Sequence, residues 1–332
     1  MRDVPVHALQ QAIKDLDRAY QNWWAGRASA PSPRKHGVND SMCLPDPAMF
    51  DFRRLSRHWG EVRLPKLGWV RLRWDRAIPG TVRTITVARR AGIWTLAAQY
   101  EREVSEPPPS ALPSVGIDRG VAVFAALSDG TAIAPVNAGQ RASHALGRAQ
   151  RKLARKKRGS NNRRKQARRV AKRHARVANT RKDFLHKAST TVAQNHGAVV
   201  LEKLDVRNMV RSAAGTAQEP GRNVRPKAGL NRAILDQGWG AFRSMLAYKL
   251  AERGGTLIEV PPAYTSQTCS ACGVIDAASR NGPPFCCTGC GHSAHADTNA
   301  AINIVRRADS ALLPVEASHE RATEAGTCRM AA

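Results

Sequence analysis

Two Cys-x-x-Cys pairs, Cys269/Cys272 and Cys287/Cys290, stand fourteen residues apart late in a 332-residue chain, and Asp297-Thr-Asn299 follows closely. Each two-residue spacer turns both thiolates toward one point, so the two knuckles together can close a tetrahedral Zn²⁺ site and force a small ribbon around it. Disulfides are the other use of such cysteines. The first residues carry no signal-peptide pattern, and paired two-residue spacing suits zinc better than a secreted disulfide framework. Cys286 beside Cys287 blurs the ligand set, although only Cys287 restores the two-residue spacing to Cys290. Cys43 and Cys328 are isolated and read as free thiols.

The chain is long enough for two or three domains, and its 42% hydrophobic content agrees with mostly folded material. Lys plus Arg outnumber Asp plus Glu by 53 to 26, a formal net charge of +27, so the expected partner is polyanionic. Nucleic acid leads. An anionic membrane surface competes, but no apolar run approaches the ~18 to 20 residues of a spanning helix, and no lipidation signal is present. The thiol-rich zinc pattern favours a reducing cytoplasm.

Leu9, Ala12, Ile13, Leu16, Tyr20, Trp23 and Trp24 recur at helical spacing, predicting an amphipathic helix over residues 5 to 25 whose bulky face packs into a core. Gly26 to Gly37 breaks it, and Arg34-Lys35-His36 there is either a phosphate contact or a solvated loop. Runs rich in Val, Ile, Thr and Trp from Trp69 to Trp74, Val82 to Val87 and Ile93 to Tyr100 predict antiparallel strands of a small barrel or sheet. Glu106-Pro-Pro-Pro-Ser110 is a stiff linker. Beyond it, Ser114 to Gly120, Val121 to Leu127 and Thr131 to Val136 predict a three-stranded meander turning at Asp129-Gly130. Residues 143 to 196 read as two helices interrupted at Gly159-Ser-Asn-Asn162, and Ala198 to Glu202 as a buried strand. Asn231 to Arg253 reads as one helix, stopped by Gly254-Gly255, before a strand at Thr256 to Val260. Trp239 and Phe242 on that helix read as core.

Three acids stand out by position: Asp118 and Glu202 each end a buried strand, and Asp297 starts the final helix. A strand that delivers a carboxylate to the rim of a sheet needs a cation to compensate its burial. Mg²⁺ or Mn²⁺ suits an all-oxygen site, and two such ions ~3.5 to 4 Å apart activate water and stabilise the leaving oxygen of a phosphodiester. Singly, each acid also reads as an ordinary strand-end or helix-capping residue.

Gly116-Ile-Asp118-Arg-Gly120, Val199-Val-Leu-Glu202-Lys-Leu204, Thr265-Ser-Gln-Thr-Cys269-Ser-Ala-Cys272-Gly273 and His295-Ala-Asp297-Thr-Asn299-Ala-Ala301, in that order, resemble the OrfB/TnpB proteins of bacterial insertion sequences. Those proteins are relatives of type V CRISPR effectors and are often called transposases. The resemblance implies an α/β chain with an RNase H-like (RuvC) nuclease domain, an inserted zinc ribbon and a preceding, partial helical and β-barrel recognition lobe. It implies Asp118, Glu202 and Asp297 as a catalytic triad holding Mg²⁺ or Mn²⁺, and Cys269, Cys272, Cys287 and Cys290 holding structural Zn²⁺. The partners implied are a DNA target, a guide RNA from the transposon end and a separate transposase of the same element. A bacterial cytoplasmic, nucleoid-associated location follows from them.

On this reading residues 1–37 are a partial helical segment, 38–104 an incomplete wedge-like barrel lacking its first strand, and 105–113 a linker. Residues 114–264 and 295–308 are the nuclease domain, 265–294 the zinc ribbon and 309–332 a disordered tail. Members of the family usually start with a strand and helix before the segment seen at Met1, which bears on recognition of the short motif beside the target.

About half of the residues from Arg151 to Arg176 are Lys or Arg, a density whose self-repulsion phosphates would relieve. The candidate nucleic-acid contacts are Arg151, Lys152, Arg155, Lys156, Lys157, Arg163, Arg164, Lys165, Arg168, Arg169, Lys172, Arg173 and Arg176. A solvated charge run is the plain alternative. Two other functions compete with a guided endonuclease: a binding-only transposon accessory or repressor, and a structure-specific resolvase that needs no guide.

Overall fold

Strict alternation along Trp59–Leu64, with Gly60, Val62 and Leu64 buried and the residues between them facing outward, produces the kind of half-buried strand from which the first part of the molecule is made. The computed structural model describes residues 5–33, 37, 40–216 and 218–312. The chain forms two units, Met1–Ser105 with Leu146–Ala175, and Glu106–Ala145 with Arg176–Ala332.

In the first unit, helix α1 (Val6–Trp24) precedes strands β1 (Ser41–Leu44), β2 (Asp51–Arg54), β3 (Trp59–Leu64), β4 (Gly68–Arg73), β5 (Thr81–Arg90) and β6 (Ile93–Glu101). They make two antiparallel three-stranded sheets, ordered β1-β5-β6 and β2-β3-β4. Leu44, Phe50, Val62, Leu64 and Ile85 form their core. Ala91 and Gly92, both at positive φ, make the tight turn between β5 and β6, which matches the twist of the flanking strands. The strands expected here are present. The packing expected of α1 is not: the helix buries none of its residues, and Ile13 and Trp24 are 68% and 71% exposed. Helical periodicity defines an apolar face but not what covers it, and among the described residues α1 lies chiefly against β1. Arg34, Lys35 and His36 lie outside the described residues.

The second unit is organised around strands β7 (Ser114–Asp118), β8 (Ala125–Leu127) and β9 (Ala132–Ile133). Helices α2 (Ala138–Ala154) and α3 (Asn161–Asn195), which carry residues of both units, lead to β10 (Ala198–Glu202). After it come the short α4 (Val206–Met209), α5 (Val224–Gln237), α6 (Trp239–Ala251), β11 (Thr256–Val260), β12 (Pro284–Cys286), β13 (Ser293–His295) and α7 (Ala296–Leu312). The sheet order is β11-β10-β7-β8-β9. The first three strands of that order run parallel, and β8 and β9 pair antiparallel. Parallel strands covered on both faces become continuous apolar runs, and β10 is one: Val199 and Leu201 join a core with Leu185, Phe242 and Leu246, while Val200 meets Ile304 of α7.

The helix expected over Asn231 to Arg253 is two helices, parted at Gly238, which takes a left-handed φ of +73°. A glycine able to adopt that conformation ends one helix and starts the next with little strain. Trp239 and Phe242 are core, as their apolar bulk suggests. The terminal helix continues to Leu312, past the expected start of the tail at 309, and residues 313–332, with Cys328, lie outside the described residues.

Candidate functional site

Asp118 and Glu202 end neighbouring parallel strands, one position beyond the Ile117–Leu201 register pair. Asp297 comes from the first turn of α7, where the helix dipole favours a negative side chain. What brings α7 against β7 is the absence of a side chain at Gly116, together with buried Ala300 and Ala301 on the facing helix. The three carboxylates are close enough to act on one another. Asp118 is pushed up from 3.8 to about 7, first by burial and then by the charges of Glu202 and Asp297, with Arg280 opposing.

Three residues not singled out from the sequence shape this cluster. Thr265 donates its hydroxyl to Glu202 Oε1, and both side chains are buried. Arg280 Nη2 stands 3.6 Å from Asp297 Oδ1. Arg119, next to Asp118, donates Nη2 to the backbone oxygen of Glu202, and its buried Nε has no protein partner among the described residues. Arg119 and Thr265 stand inside motifs quoted from the sequence, with nothing there to say which acid Thr265 meets. Arg280 had no such signal and reaches Asp297 through tertiary folding alone.

The cysteine pairs meet as the spacing predicts. The Sγ atoms of Cys269, Cys272, Cys287 and Cys290 all lie within 4.8 Å of one another, with 3.7 Å from Cys269 to Cys290 and 3.5 Å from Cys272 to Cys287. A tetrahedral ion with Zn–S bonds of ~2.3 Å separates its sulfurs by about 3.8 Å, so the donor set fits zinc. The alternation of β12 settles the ambiguity at the second knuckle: Phe285 points inward to pack with Cys269 and Cys287, and Cys286 faces outward, apart from the cluster. The Cys287 thiol is pushed down to about 6, chiefly by the N–H of Cys290 donating to its sulfur, whereas Cys290 is pushed up to about 12 despite the His292 N–H, by its hydrogen bonds with the other thiols and by burial, so the first thiolate of the cluster forms at Cys287.

The basic segment forms the end of α2, a turn with Gly159 at φ +80°, and the start of α3. Ser160 caps α3 by accepting from the Arg163 N–H at 3.1 Å, and buried Gln166 ties the two helices through the Ala149 carbonyl at 2.9 Å. Arg163 donates to the Leu153 and Lys156 carbonyls at 2.9 and 3.2 Å, closing the end of α2, so this one candidate contact is engaged within the hairpin. Arg151, Lys152, Arg155, Lys156, Lys157, Arg164, Lys165, Arg168, Arg169, Lys172, Arg173 and Arg176 are exposed.

A mixed α/β sheet that ends adjacent strands in carboxylates, with a four-cysteine ribbon inserted ahead of a third acid on the following helix, defines the class of protein. Comparison with known proteins agrees. Residues 97–213 match the OrfB_IS605 family model, described as "Probable transposase", and residues 239–304 match a model described as "Cas12f1-like, TNB domain". The chain is 46% identical over 306 residues to InsQ of Escherichia coli K12, named a candidate RNA-guided DNA endonuclease, covering 92% of this chain and 75% of that one. A Streptomyces pristinaespiralis protein with the same description is 33% identical over 303 residues, covering 90% of this chain and 70% of that one. The fold resembles that of Cas12f1 in a complex with guide RNA and target DNA, at a TM-score of 0.57 and 15% identity over 90% of this chain and 70% of that chain. The chain belongs to the TnpB/OrfB family.

Proposed function

We propose that the protein is an RNA-guided DNA endonuclease whose RuvC-like, RNase H-type domain hydrolyses phosphodiester bonds at Asp118, Glu202 and Asp297. The observation that carries the reading is the convergence of these three acids from β7, β10 and α7, where burial first, and then the charges of Glu202 and Asp297, raise Asp118 to about 7. Glu202 is buried and Asp118 and Asp297 are partly so, and carboxylates gathered in this way repel one another unless a cation offsets them. The names of the relatives support the same activity, and the mixed sheet is a suitable frame for it.

Asp118, Glu202 and Asp297 would hold Mg²⁺ or Mn²⁺, which when bound lowers the pKa of a water and stabilises the departing oxygen. Thr265 orients Glu202, and Arg280 tempers the negative charge at Asp297. Cys269, Cys272, Cys287 and Cys290 hold Zn²⁺ and fix the ribbon, residues 265–294, between the two parts of the nuclease domain. The exposed Lys and Arg residues of the α2–α3 hairpin grip the phosphates of guide RNA or its heteroduplex with DNA. Among the described residues no helix is long and apolar enough to cross a membrane.

The test is plasmid cleavage in Mg²⁺ by protein purified with RNA from its transposon end and by the same protein freed of RNA. Cutting is expected only with RNA. It should vanish in Asp118→Ala, Glu202→Ala and Asp297→Ala while the RNA stays bound. RNA-bound protein that never cuts would leave a binding-only accessory, and cutting without RNA would leave a guide-free resolvase.

A further inference from the structure

Glu202, 8% exposed, receives the hydroxyl of Thr265, itself 3% exposed. That hydroxyl also lies 3.1 Å from the Pro262 carbonyl, but it has one proton, and a carboxylate is the stronger acceptor. Thr265 begins the segment that leads into the first cysteine knuckle, and α7 holds that segment by its backbone. Asn303 Nδ2 donates to the Thr265 carbonyl at 3.0 Å and to the Thr268 carbonyl at 2.6 Å. One turn earlier, Asn299 Nδ2 donates to the Thr268 carbonyl at 2.8 Å while its Oδ1 accepts the Ser270 N–H at 2.8 Å. One turn later, Arg306 donates to the Ser270 carbonyl.

Residues 299, 303 and 306 share one stripe of a helix, and the same helix carries Asp297 in its first turn. Asn299 and Asn303 are buried, so their side-chain amides depend on these bonds for partners. One helix therefore presents one acid and clamps the residue that holds another.

We propose that Thr265 is a positioning residue for the divalent-cation site, its hydroxyl fixing the Glu202 carboxylate and its backbone fixed in turn by Asn303. The proposal rests on the acid cluster binding a cation, as argued above. Bonds of this kind set the orientation of a metal-ligating carboxylate, and removing one costs about 10- to 100-fold in metal affinity.

The experiment is Mn²⁺ titration of the zinc-loaded chain, followed by the electron paramagnetic resonance of free Mn²⁺, with the site defined as the binding that disappears in Asp118→Ala. Thr265→Val, nearly the same shape without the hydroxyl, should bind Mn²⁺ about tenfold or more weakly, and Thr265→Ser should stay within about threefold of wild type. Zinc content and thermal melting are recorded for each variant, and Thr265→Ala takes the place of Thr265→Val if the latter loses either. Wild-type Mn²⁺ affinity without the hydroxyl, or equal weakening in Thr265→Ser, would overturn the role of Thr265 while leaving the nuclease reading intact. Wild-type protein that binds no Mn²⁺ at Asp118 would overturn the cation site and this proposal together.

Discussion

A β-carbon on Gly116 would stand 2.1 Å from the carbonyl oxygen of Ala301 and 2.8 Å from the amide nitrogen of Val305. Backbone atoms cannot give way like a side-chain tip, so Gly116→Ala must push α7 off β7. Such overpacking costs on the order of 1–3 kcal/mol. Urea unfolding should show that loss, and cleavage should fall as Asp297 moves with the helix. Gly240, in α6 with nothing within 4 Å of its β-carbon position, supplies the control. There Gly→Ala should stabilise by about 0.4–1 kcal/mol. Equal midpoints for the two variants would contradict the close approach of α7.

Asp118 makes the cation-free protein sensitive to pH. Its folded pKa is raised from 3.8 to about 7, so the folded state holds the proton more tightly. The resulting stability is fully present below the unfolded value and is lost as pH rises through about 7. A shift of about three units corresponds to roughly 4 kcal/mol. Thermal melts of zinc-loaded protein without Mg²⁺ should therefore fall from pH 5 to pH 8, and Asp118→Asn should remove much of that decline. Added Mn²⁺ should restore the wild type at pH 8 and do little for Asp118→Asn. A variant with the wild-type pH slope would show that Asp118 is not the group responsible.

One zinc ion per chain is expected from elemental analysis of protein purified without chelator. The double substitution Cys287→Ser, Cys290→Ser should abolish it, because two thiolates cannot hold the tetrahedral site that four can. Cys286→Ser should keep full occupancy, since its side chain faces away from the cluster. Zinc loss in Cys286→Ser would reassign the second knuckle.

Neutralising Arg164, Arg168, Arg169 and Arg173 to Gln should weaken binding to unrelated nucleic-acid sequences alike, because phosphate contacts are blind to sequence. The log–log salt slope should flatten by about 0.7 to 0.9 for each phosphate that is no longer neutralised. Arg163→Gln is expected to behave differently. Its guanidinium caps the end of α2, so melting temperature should drop with little change in slope. An unchanged slope in the fourfold variant would return the segment to a solvated helical face.

Local chemistry made much of this legible in the sequence. Two-residue cysteine spacing defines a knuckle whatever surrounds it, and an apolar run ending in Asp118 or Glu202 places an acid at the end of a strand. Runs rich in Val, Ile, Thr and Trp marked β4, β5 and β6, while the shorter β1 and β2 and the alternating β3 went unread. The density of Lys and Arg marked an exposed helical hairpin, but it could not single out Arg163, whose partners are the Leu153 and Lys156 carbonyls of the preceding helix and turn. Gly238 lies inside the segment read as one helix, and its left-handed φ is what makes the break there plain.

What the sequence determined by itself was therefore most of the elements, the cysteine donor set and the residue types able to hold a metal, because each follows from composition or spacing along one strand, turn or helix. Tertiary structure alone decided which of these meet. It left the apolar face of α1 exposed, seated α7 on Gly116, brought Arg280 to Asp297 and set Thr265 against Glu202. Those last three pairings join residues from 17 to 185 positions apart, and no periodicity in a chain specifies which distant backbone will approach closely enough to need a glycine or to receive a hydroxyl.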